Sequence, residues 1–139
     1  MTRNLFSVLI AVLFLISTTA PLFAHHSFDS EYDRNKPISF TGTIAKVDWM
    51  NPHIYIYVDV KSEGGKTTRY SIEGGAPNAL YRQGLRKEMI KIGEVVSVKG
   101  YLAKKEGANN VNGQMTTQDG RNILRAPNGA GAPATAAQN

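Results

Sequence analysis

The chain has 139 residues, no cysteine, and 16 lysine and arginine residues against 11 acidic ones, which gives a net charge of +5 at pH 7. The lack of cysteine excludes disulfide bonds and lipid attachment to a cysteine. The basic residues are scattered from Arg34 to Arg125 rather than clustered, so we expect mostly solvated surface charge and no nucleic-acid partner.

The first 24 residues predict a secretory signal peptide. A short basic lead precedes the apolar run Leu5–Ile16, and small and polar residues follow it. This run of 12 residues is shorter than the roughly 20 that span a bilayer, so we expect no permanent membrane anchor after cleavage. Cleavage after Ala24 is favoured over cleavage after Ala20, because the latter would leave Pro21 at the terminus. We therefore predict a periplasmic or secreted mature protein that begins at His25.

Alternating polar and apolar residues predict β-strands along most of the mature chain. The first strand is long and extends to Trp49, and Gly42 and a phase slip near Ala45 predict a bend or bulge in it. Gly64 and Gly65 close a hairpin between the second and third strands. The predicted inner face of the second strand consists of Ile54, Ile56, Val58 and Val60, and we expect Trp49 inside the barrel as well.

A short helix follows the third strand. Pro77 is a favourable first helical residue and Gly84 a favourable stop, which predicts about two helical turns. A turn at Lys91–Glu94 leads to the fourth strand, and a hairpin at Lys104–Ala108 leads to the fifth strand and a short sixth. The tail, residues 126–139, is rich in alanine and glycine and predicts a disordered segment.

The order of three strands, one short helix and two further strands, with a long bent first strand, is that of the OB-fold. We therefore predict an all-β fold with one short helix, arranged as an OB-fold-like five-stranded Greek-key barrel. It would form a single domain over residues 25–125, with a lead segment before the first strand. An SH3-like barrel lacks the helix, and an immunoglobulin-type sandwich needs about seven strands.

The three histidines lie at positions that we expect to face solvent. His25 and His26 form the predicted mature terminus, and His53 follows the Asn51–Pro52 turn at the start of the second strand. If the lead segment runs back over that edge, His25 and His53 meet. The terminal α-amine and ring nitrogen of His25, with a third nitrogen from His53, would suit Cu(II). We predict a site for copper or another transition metal at His25, His26 and His53. Candidate carboxylate neighbours are Glu31, Asp33 and Glu73.

Simpler interpretations remain open, because paired histidines also occur as a polar terminus and a histidine after Asn-Pro also caps a turn. A small organic ligand or a protein partner is the alternative to a metal. The candidate residues for such a ligand are Trp49, Asn51, Tyr55, Tyr57, Glu73, Asn78 and Arg82. In the simpler interpretation, the two tyrosines are ordinary strand residues. Glu73, Asn78 and Arg82 then cap the helix and form a surface ion pair.

Catalysis has little support in the sequence. There is no recognisable Ser, His and carboxylate series, no phosphate-binding glycine loop and no helical zinc motif. We therefore expect a non-enzymatic binding protein, and a copper-dependent oxidoreductase is the third alternative.

Several motifs resemble a family of small exported bacterial proteins known only as a domain of unknown function. They are HHSF, NKPISFTGTI, WMNPH, PNALYRQG, IKIGEVVSVKGY and DGR. The resemblance extends from His25 to about Leu124 and implies no activity. Typical members carry Trp where this chain has Leu85 and Pro where it has Ile92. These departures concern packing and turn rigidity rather than any candidate ligand.

Overall fold

The computed structural model describes residues 28–125. The predicted signal peptide, His25, His26 and the predicted disordered tail lie outside the described residues. The helices and strands are α1 Phe28–Glu31, β1 Tyr32–Asp48, β2 Tyr55–Lys61, β3 Thr67–Glu73, α2 Pro77–Arg82, a 3₁₀ helix Lys87–Met89, β4 Val95–Ala103, β5 Asn110–Thr117 and β6 Asn122–Leu124. Within these residues, no helix has both the length and the apolar character needed to cross a membrane.

The six strands form one mostly antiparallel sheet in the order β3-β2-β1-β4-β5-β6. β3 also pairs with β5 in parallel, from Ser71 opposite Asn110 to Glu73 opposite Asn112. Strands β1 to β5 therefore form a closed circuit of pairings. These observations confirm the predicted all-β class. The circuit is compatible with an OB-fold-like barrel, and that finer assignment stays a prediction.

β1 is long because it pairs with two strands in succession. Its first part, as far as Thr43, pairs with β4, and its last part pairs with β2. The β1–β2 register shifts between Ile44 and Lys46, which confirms the predicted irregularity near Ala45. Gly42 lies two residues before Ile44, and a Cβ atom there would lie 2.6 Å from a methyl group of Val58. The absence of a side chain therefore lets β1 approach β2 closely where it bends.

The core lies between the inner faces of the strands. Its fully buried large side chains are Ile44, Ile54, Ile56, Ile72, Met115, Val58, Val96, Val98 and Val111. The predicted inner face of the second strand is confirmed for Ile54, Ile56 and Val58, while Val60 packs at the margin. Trp49 also differs from the expectation of an interior position, because it is only partly buried and packs against the core from its edge.

The N-terminal part of the domain contains more structure than the sequence predicts. β1 begins at Tyr32, and α1 precedes it where only a lead segment is expected. The Lys104 amide donates a hydrogen bond to the Glu31 carbonyl oxygen at 2.9 Å, which ties the end of α1 to the end of β4. The Phe28 ring stacks on that of Tyr32 with centroids 5.5 Å apart. Tertiary contacts thus order a segment that has no strand periodicity.

Candidate functional site

Side chains from three separate segments meet where β3 ends. The Tyr32 hydroxyl at the start of β1 donates a hydrogen bond to Oε2 of Glu73, the last residue of β3. A second hydrogen bond joins the other oxygen, Oε1, to Nδ1 of His53 in the β1–β2 loop. One carboxylate therefore connects the phenol and the imidazole, and we call this group the Tyr32–Glu73–His53 network.

Backbone contacts hold the two loops of the network together. The Ile54 amide donates to the Gly75 carbonyl oxygen at 3.2 Å, and the Gly74 amide donates to the Ile54 carbonyl oxygen at 2.9 Å. A Cβ atom on Gly74 would lie 2.6 Å from the Ile54 side chain, so glycine is needed for this close approach. The residue after His53 thus lies against the residue after Glu73, which sets the distance between their side chains.

The network is buried on one side and open on the other. The Glu73 side chain is only 10% exposed and Tyr32 is buried, whereas the His53 side chain is 41% exposed. A histidine has two ring nitrogens, and the bond to Glu73 occupies Nδ1. In the neutral tautomer that donates Nδ1–H to the carboxylate, Nε2 carries a free lone pair. His53 can therefore offer Nε2 to a ligand from the solvent side.

The buried carboxylate also acts on two tyrosines. Burial raises the pKa of Tyr32 well above its ordinary value, and the hydrogen bond to Glu73 and the charge of that residue raise it further. Tyr55 lies directly opposite Glu73 in the β2–β3 register. Burial raises its pKa as well, and the charge of Glu73 adds to this effect. Both phenols are thus held in the protonated form, in which they can donate hydrogen bonds.

Tyr57, the other tyrosine of the predicted ligand set, has a different environment. The Lys46 ammonium lies 5.0 Å from the centroid of its ring and 2.9 Å from a carboxylate oxygen of Asp48. Burial raises the pKa of Tyr57, and a hydrogen bond with Asp48 adds to the shift. Lys46 therefore covers the Tyr57 ring, which leaves less of its face for stacking with a ligand.

The other predicted ligand residues do not join the network. Asn51, Asn78 and Arg82 are exposed, and Trp49 belongs to the margin of the core. The capping interpretation is wrong, because the residue that precedes α2 is Ala76 and no side chain caps the helix. Glu73 bonds to His53 and Tyr32 instead, since the end of β3 points it toward the β1–β2 loop rather than along α2.

The network brings together one histidine and one carboxylate. Within residues 28–125, no group of three or more His, Asp or Glu side chains is arranged to hold a metal ion. Of the other candidate carboxylates, Glu31 contributes by its charge to the raised pKa of Tyr32 and of Tyr55. Asp33 instead accepts a hydrogen bond from the Asn35 amide at 2.9 Å. His25 and His26, the other predicted metal ligands, lie outside the described residues.

Tyr32 is the member of the network that the sequence pattern does not predict. It precedes the alternating pattern of β1, so periodicity does not mark it as buried. One signal was available, because Phe28 and Tyr32 are four residues apart and such spacing places two rings on the same face of a helical turn. An aromatic pair in an otherwise polar lead segment indicates that the segment packs on the domain.

Comparison with known proteins identifies a family and no activity. The chain matches the family of unknown function DUF6152 over residues 11–113. No curated protein matches the chain. The match includes Tyr32, His53 and Glu73 and extends into β5. This confirms the predicted resemblance: the chain belongs to the family of unknown function DUF6152.

Proposed function

We propose that the protein is an exported, periplasmic binding protein that holds a transition-metal ion, with copper as the preferred metal. His53 and the predicted terminal histidines His25 and His26 would supply the ligands, and the protein would have no catalytic activity. The observation that carries this proposal is the bond between His53 and the buried carboxylate of Glu73.

Metal-binding histidines generally donate their second ring N–H to a carboxylate or a carbonyl group, which fixes the tautomer and makes the ligating nitrogen more basic. Glu73 is in that position relative to His53. Burying a carboxylate is costly unless its oxygens are bonded, and here Tyr32 satisfies the second oxygen. A histidine that only ends a turn needs no such partner, so the arrangement favours ligation through Nε2.

The length of the lead segment supports a contribution from the terminal histidines. Phe28 stacks on Tyr32, which in turn bonds to Glu73. His25 is three residues before Phe28, and three residues span at most about 10 Å. In the proposed site, the α-amine and ring of His25 use this length of chain to approach the solvent side of His53. Two nitrogens from His25 and one from His53 would make an all-nitrogen site that suits Cu(II).

Export is proposed from the sequence of the first 24 residues, which have the three parts of a signal peptide. It is also required by the site itself, because the α-amine of His25 becomes free only when the peptide bond after Ala24 is cut. The metal site and the cleavage position are therefore linked, and intact-mass measurement of the exported protein tests the latter.

The main test is a Cu(II) titration of protein with a native His25 terminus, followed by calorimetry and paramagnetic resonance. We expect His53→Ala, His25→Ala and one extra residue before His25 each to weaken binding strongly. Glu73→Gln should reduce affinity by about 10- to 100-fold, as is typical when the carboxylate behind a ligating histidine is lost. Asn78→Ala changes an exposed residue outside the network and serves as the control. Equal copper affinity of His53→Ala and the parent would refute the proposed site.

A small organic ligand or a protein partner at Tyr55 and Tyr57 remains the second candidate. The partly buried Tyr55 beside Glu73 favours it, because a protonated phenol next to a carboxylate can orient a polar ligand. Lys46 over the ring of Tyr57 counts against it. If substitution of His25, His26 and His53 left the copper affinity unchanged, this second candidate would be favoured over the proposed metal site.

A further inference from the structure

The exposed large apolar side chains of the described residues lie in two of the connections between strands. Within residues 28–125, the exposed large hydrophobic residues are Met50, Tyr81, Met89 and Ile92, at 53%, 58%, 39% and 62% exposure. Met50 lies in the β1–β2 loop, and the other three lie in the segment from the end of α2 to the start of β4. Single exposed apolar residues are ordinary, but their restriction to two neighbouring connections is informative.

Backbone contacts hold the second connection against β1, the strand that leads into the β1–β2 loop. The Gly93 amide donates to the Ile44 carbonyl oxygen at 2.8 Å, and the Ile44 amide donates to the Glu94 carbonyl oxygen at 2.9 Å. The turn that carries Ile92 is therefore held against the last part of β1. The hydrogen bond from Lys46 lowers the pKa of Asp48 at the end of β1, and the charge of Lys87 adds to this effect. The 3₁₀ helix thus lies near the loop that contains Met50.

Cations alternate with the apolar residues in this region. Arg82, Arg86, Lys87 and Lys91 are all exposed, and Glu88 is the one acidic residue between positions 81 and 92. The Arg86 guanidinium lies 4.0 Å from the centroid of the Tyr81 ring. We call this region the basic–apolar surface. It consists of Met50, Tyr81, Arg82, Arg86, Lys87, Met89, Lys91 and Ile92.

A depression beside this surface adds a further cation. Met89 lines it together with Leu85, Ile123 and Arg125. Four of these cations belong to the single stretch 82–91, and the fold adds Arg125 at the depression, so five cations lie around the exposed apolar side chains of this segment. Such a surface is complementary to a ligand that is both anionic and apolar.

We propose that the basic–apolar surface docks on a bilayer that contains anionic phospholipids. Lysine and arginine can lay their aliphatic stems along an apolar phase while their charged groups meet the phosphates. Met50, Met89 and Ile92 would insert among the head groups, and Tyr81 suits the interface as an amphipathic ring. A protein partner fits less well, because lysine and glutamate are depleted in the cores of protein interfaces, whereas Lys87, Glu88 and Lys91 lie among the apolar residues here.

Docking would have a consequence for the site already described. Met50 and His53 belong to the same loop, so a protein bound through the basic–apolar surface would hold the His53 edge close to the lipid head groups. The docking proposal does not depend on metal binding and is tested with a chelator present.

The experiment measures binding to vesicles of phosphatidylcholine alone and of phosphatidylcholine mixed with phosphatidylglycerol. Co-sedimentation gives the bound fraction, and Trp49, the single tryptophan, lies next to Met50 and reports docking by its fluorescence. We expect binding to the mixed vesicles, weak binding to the neutral ones, and weaker binding at higher salt. All proteins begin at His25, so that the apolar run Leu5–Ile16 is absent and does not itself bind the vesicles.

Two pairs of charge reversals test the location of the surface. Lys87→Glu with Lys91→Glu should weaken binding to mixed vesicles at least about tenfold, because each cation near an anionic surface contributes a factor of about five. Lys61→Glu with Lys66→Glu makes the same charge change in the β2–β3 hairpin, at the opposite end of the strands, and should change binding by less than about threefold.

A third variant tests the apolar contribution without a change of charge. Ile92→Asn should weaken binding about fivefold or more, since it removes an apolar side chain from the interface. The side chain is 62% exposed in the free protein, so folding should be unaffected, which circular dichroism checks. Failure of the parent to bind mixed vesicles would overturn the proposal and leave an acidic protein as the occupant to consider. Equal losses in the two lysine pairs would also overturn it, because they would indicate a response to net charge alone.

Discussion

Tyr32 and Glu73 are 41 positions apart in the chain, yet the phenol of one donates a hydrogen bond to the carboxylate of the other. This contact joins the beginning of β1 to the end of β3. It also occupies the carboxylate oxygen that His53 leaves open. The lead segment, the sheet and the candidate ligand loop are therefore coupled through one buried acidic side chain.

The first prediction concerns the stability of the protein in alkaline solution. The pKa of Tyr32 is raised in the folded state, whereas the phenol of the unfolded chain ionises near its ordinary value of 10.0. Its stabilising contribution is therefore fully present below pH 10 and is lost as the pH rises further. Above that value, the free energy of unfolding should fall by up to about 1.4 kcal/mol per pH unit more in the parent than in Tyr32→Phe. Urea unfolding of both proteins below and above pH 10 measures this difference. Parallel pH profiles would contradict the assigned environment of Tyr32.

The second prediction tests the inner face of β2. Ile56 is fully buried, so Ile56→Ala should lower the free energy of unfolding by about 2 to 5 kcal/mol. Ile92→Ala removes the same atoms from a side chain that is 62% exposed and should cost less than about 0.5 kcal/mol. Chemical denaturation of the two variants makes the comparison, and equal losses would mean that the strand faces are assigned wrongly.

A third prediction addresses the close packing of β4 against β5. A Cβ atom on Gly113 would lie 2.2 Å from the Lys99 carbonyl oxygen and 2.6 Å from Gly100 Cα, and backbone atoms cannot easily move aside. We expect Gly113→Ala to destabilise the protein by about 1 to 3 kcal/mol or more. Gly64→Ala is the matched control, because nothing lies within 4 Å of a Cβ atom there. Thermal unfolding should separate the two variants, and a Gly113→Ala protein as stable as the parent would argue against this register.

The fourth prediction concerns an ion pair on the outer face of the β2–β3 pair. Arg69 bonds both carboxylate oxygens of Asp59, at 2.7 and 2.8 Å, and these bonds hold the pKa of Asp59 below its ordinary value. The resulting stabilisation is present above the unfolded-state pKa of about 4 and is lost as the pH falls through the lower folded-state value.

Asp59→Asn should therefore be less stable than the parent at neutral pH and should approach it in strong acid. Urea unfolding of both proteins at neutral pH and in strong acid measures this convergence of their free energies of unfolding. Glu63→Gln, an exposed acidic residue in the β2–β3 hairpin, controls for the general loss of a negative charge. A difference between Asp59→Asn and the parent that persists in acid would indicate that packing, rather than the ion pair, accounts for it.

Features that depend on local pattern could be predicted from the amino-acid sequence. Alternation of polar and apolar residues predicted the strands and the buried face that includes Ile56, and the phase slip near Ala45 predicted the irregularity in β1. Pro77 and Gly84 predicted the helix between the third and fourth strands. These features follow from backbone geometry and side-chain periodicity over a few residues, which neighbouring positions encode directly.

The contacts between side chains that are distant in the chain depend on tertiary packing and could not be predicted in this way. The partners of Glu73 depend on the packing of the segment around Tyr32 and on the position of the β1–β2 loop, and neither has a local signature. The basic–apolar surface likewise exists because the turn before β4 is bonded to Ile44, which places Ile92 and Lys87 near the end of β1. Contacts of this kind arise when the strands close into one circuit of pairings. Each strand has several feasible neighbours, and the packing of the whole core selects among them, because no short stretch of sequence specifies the choice.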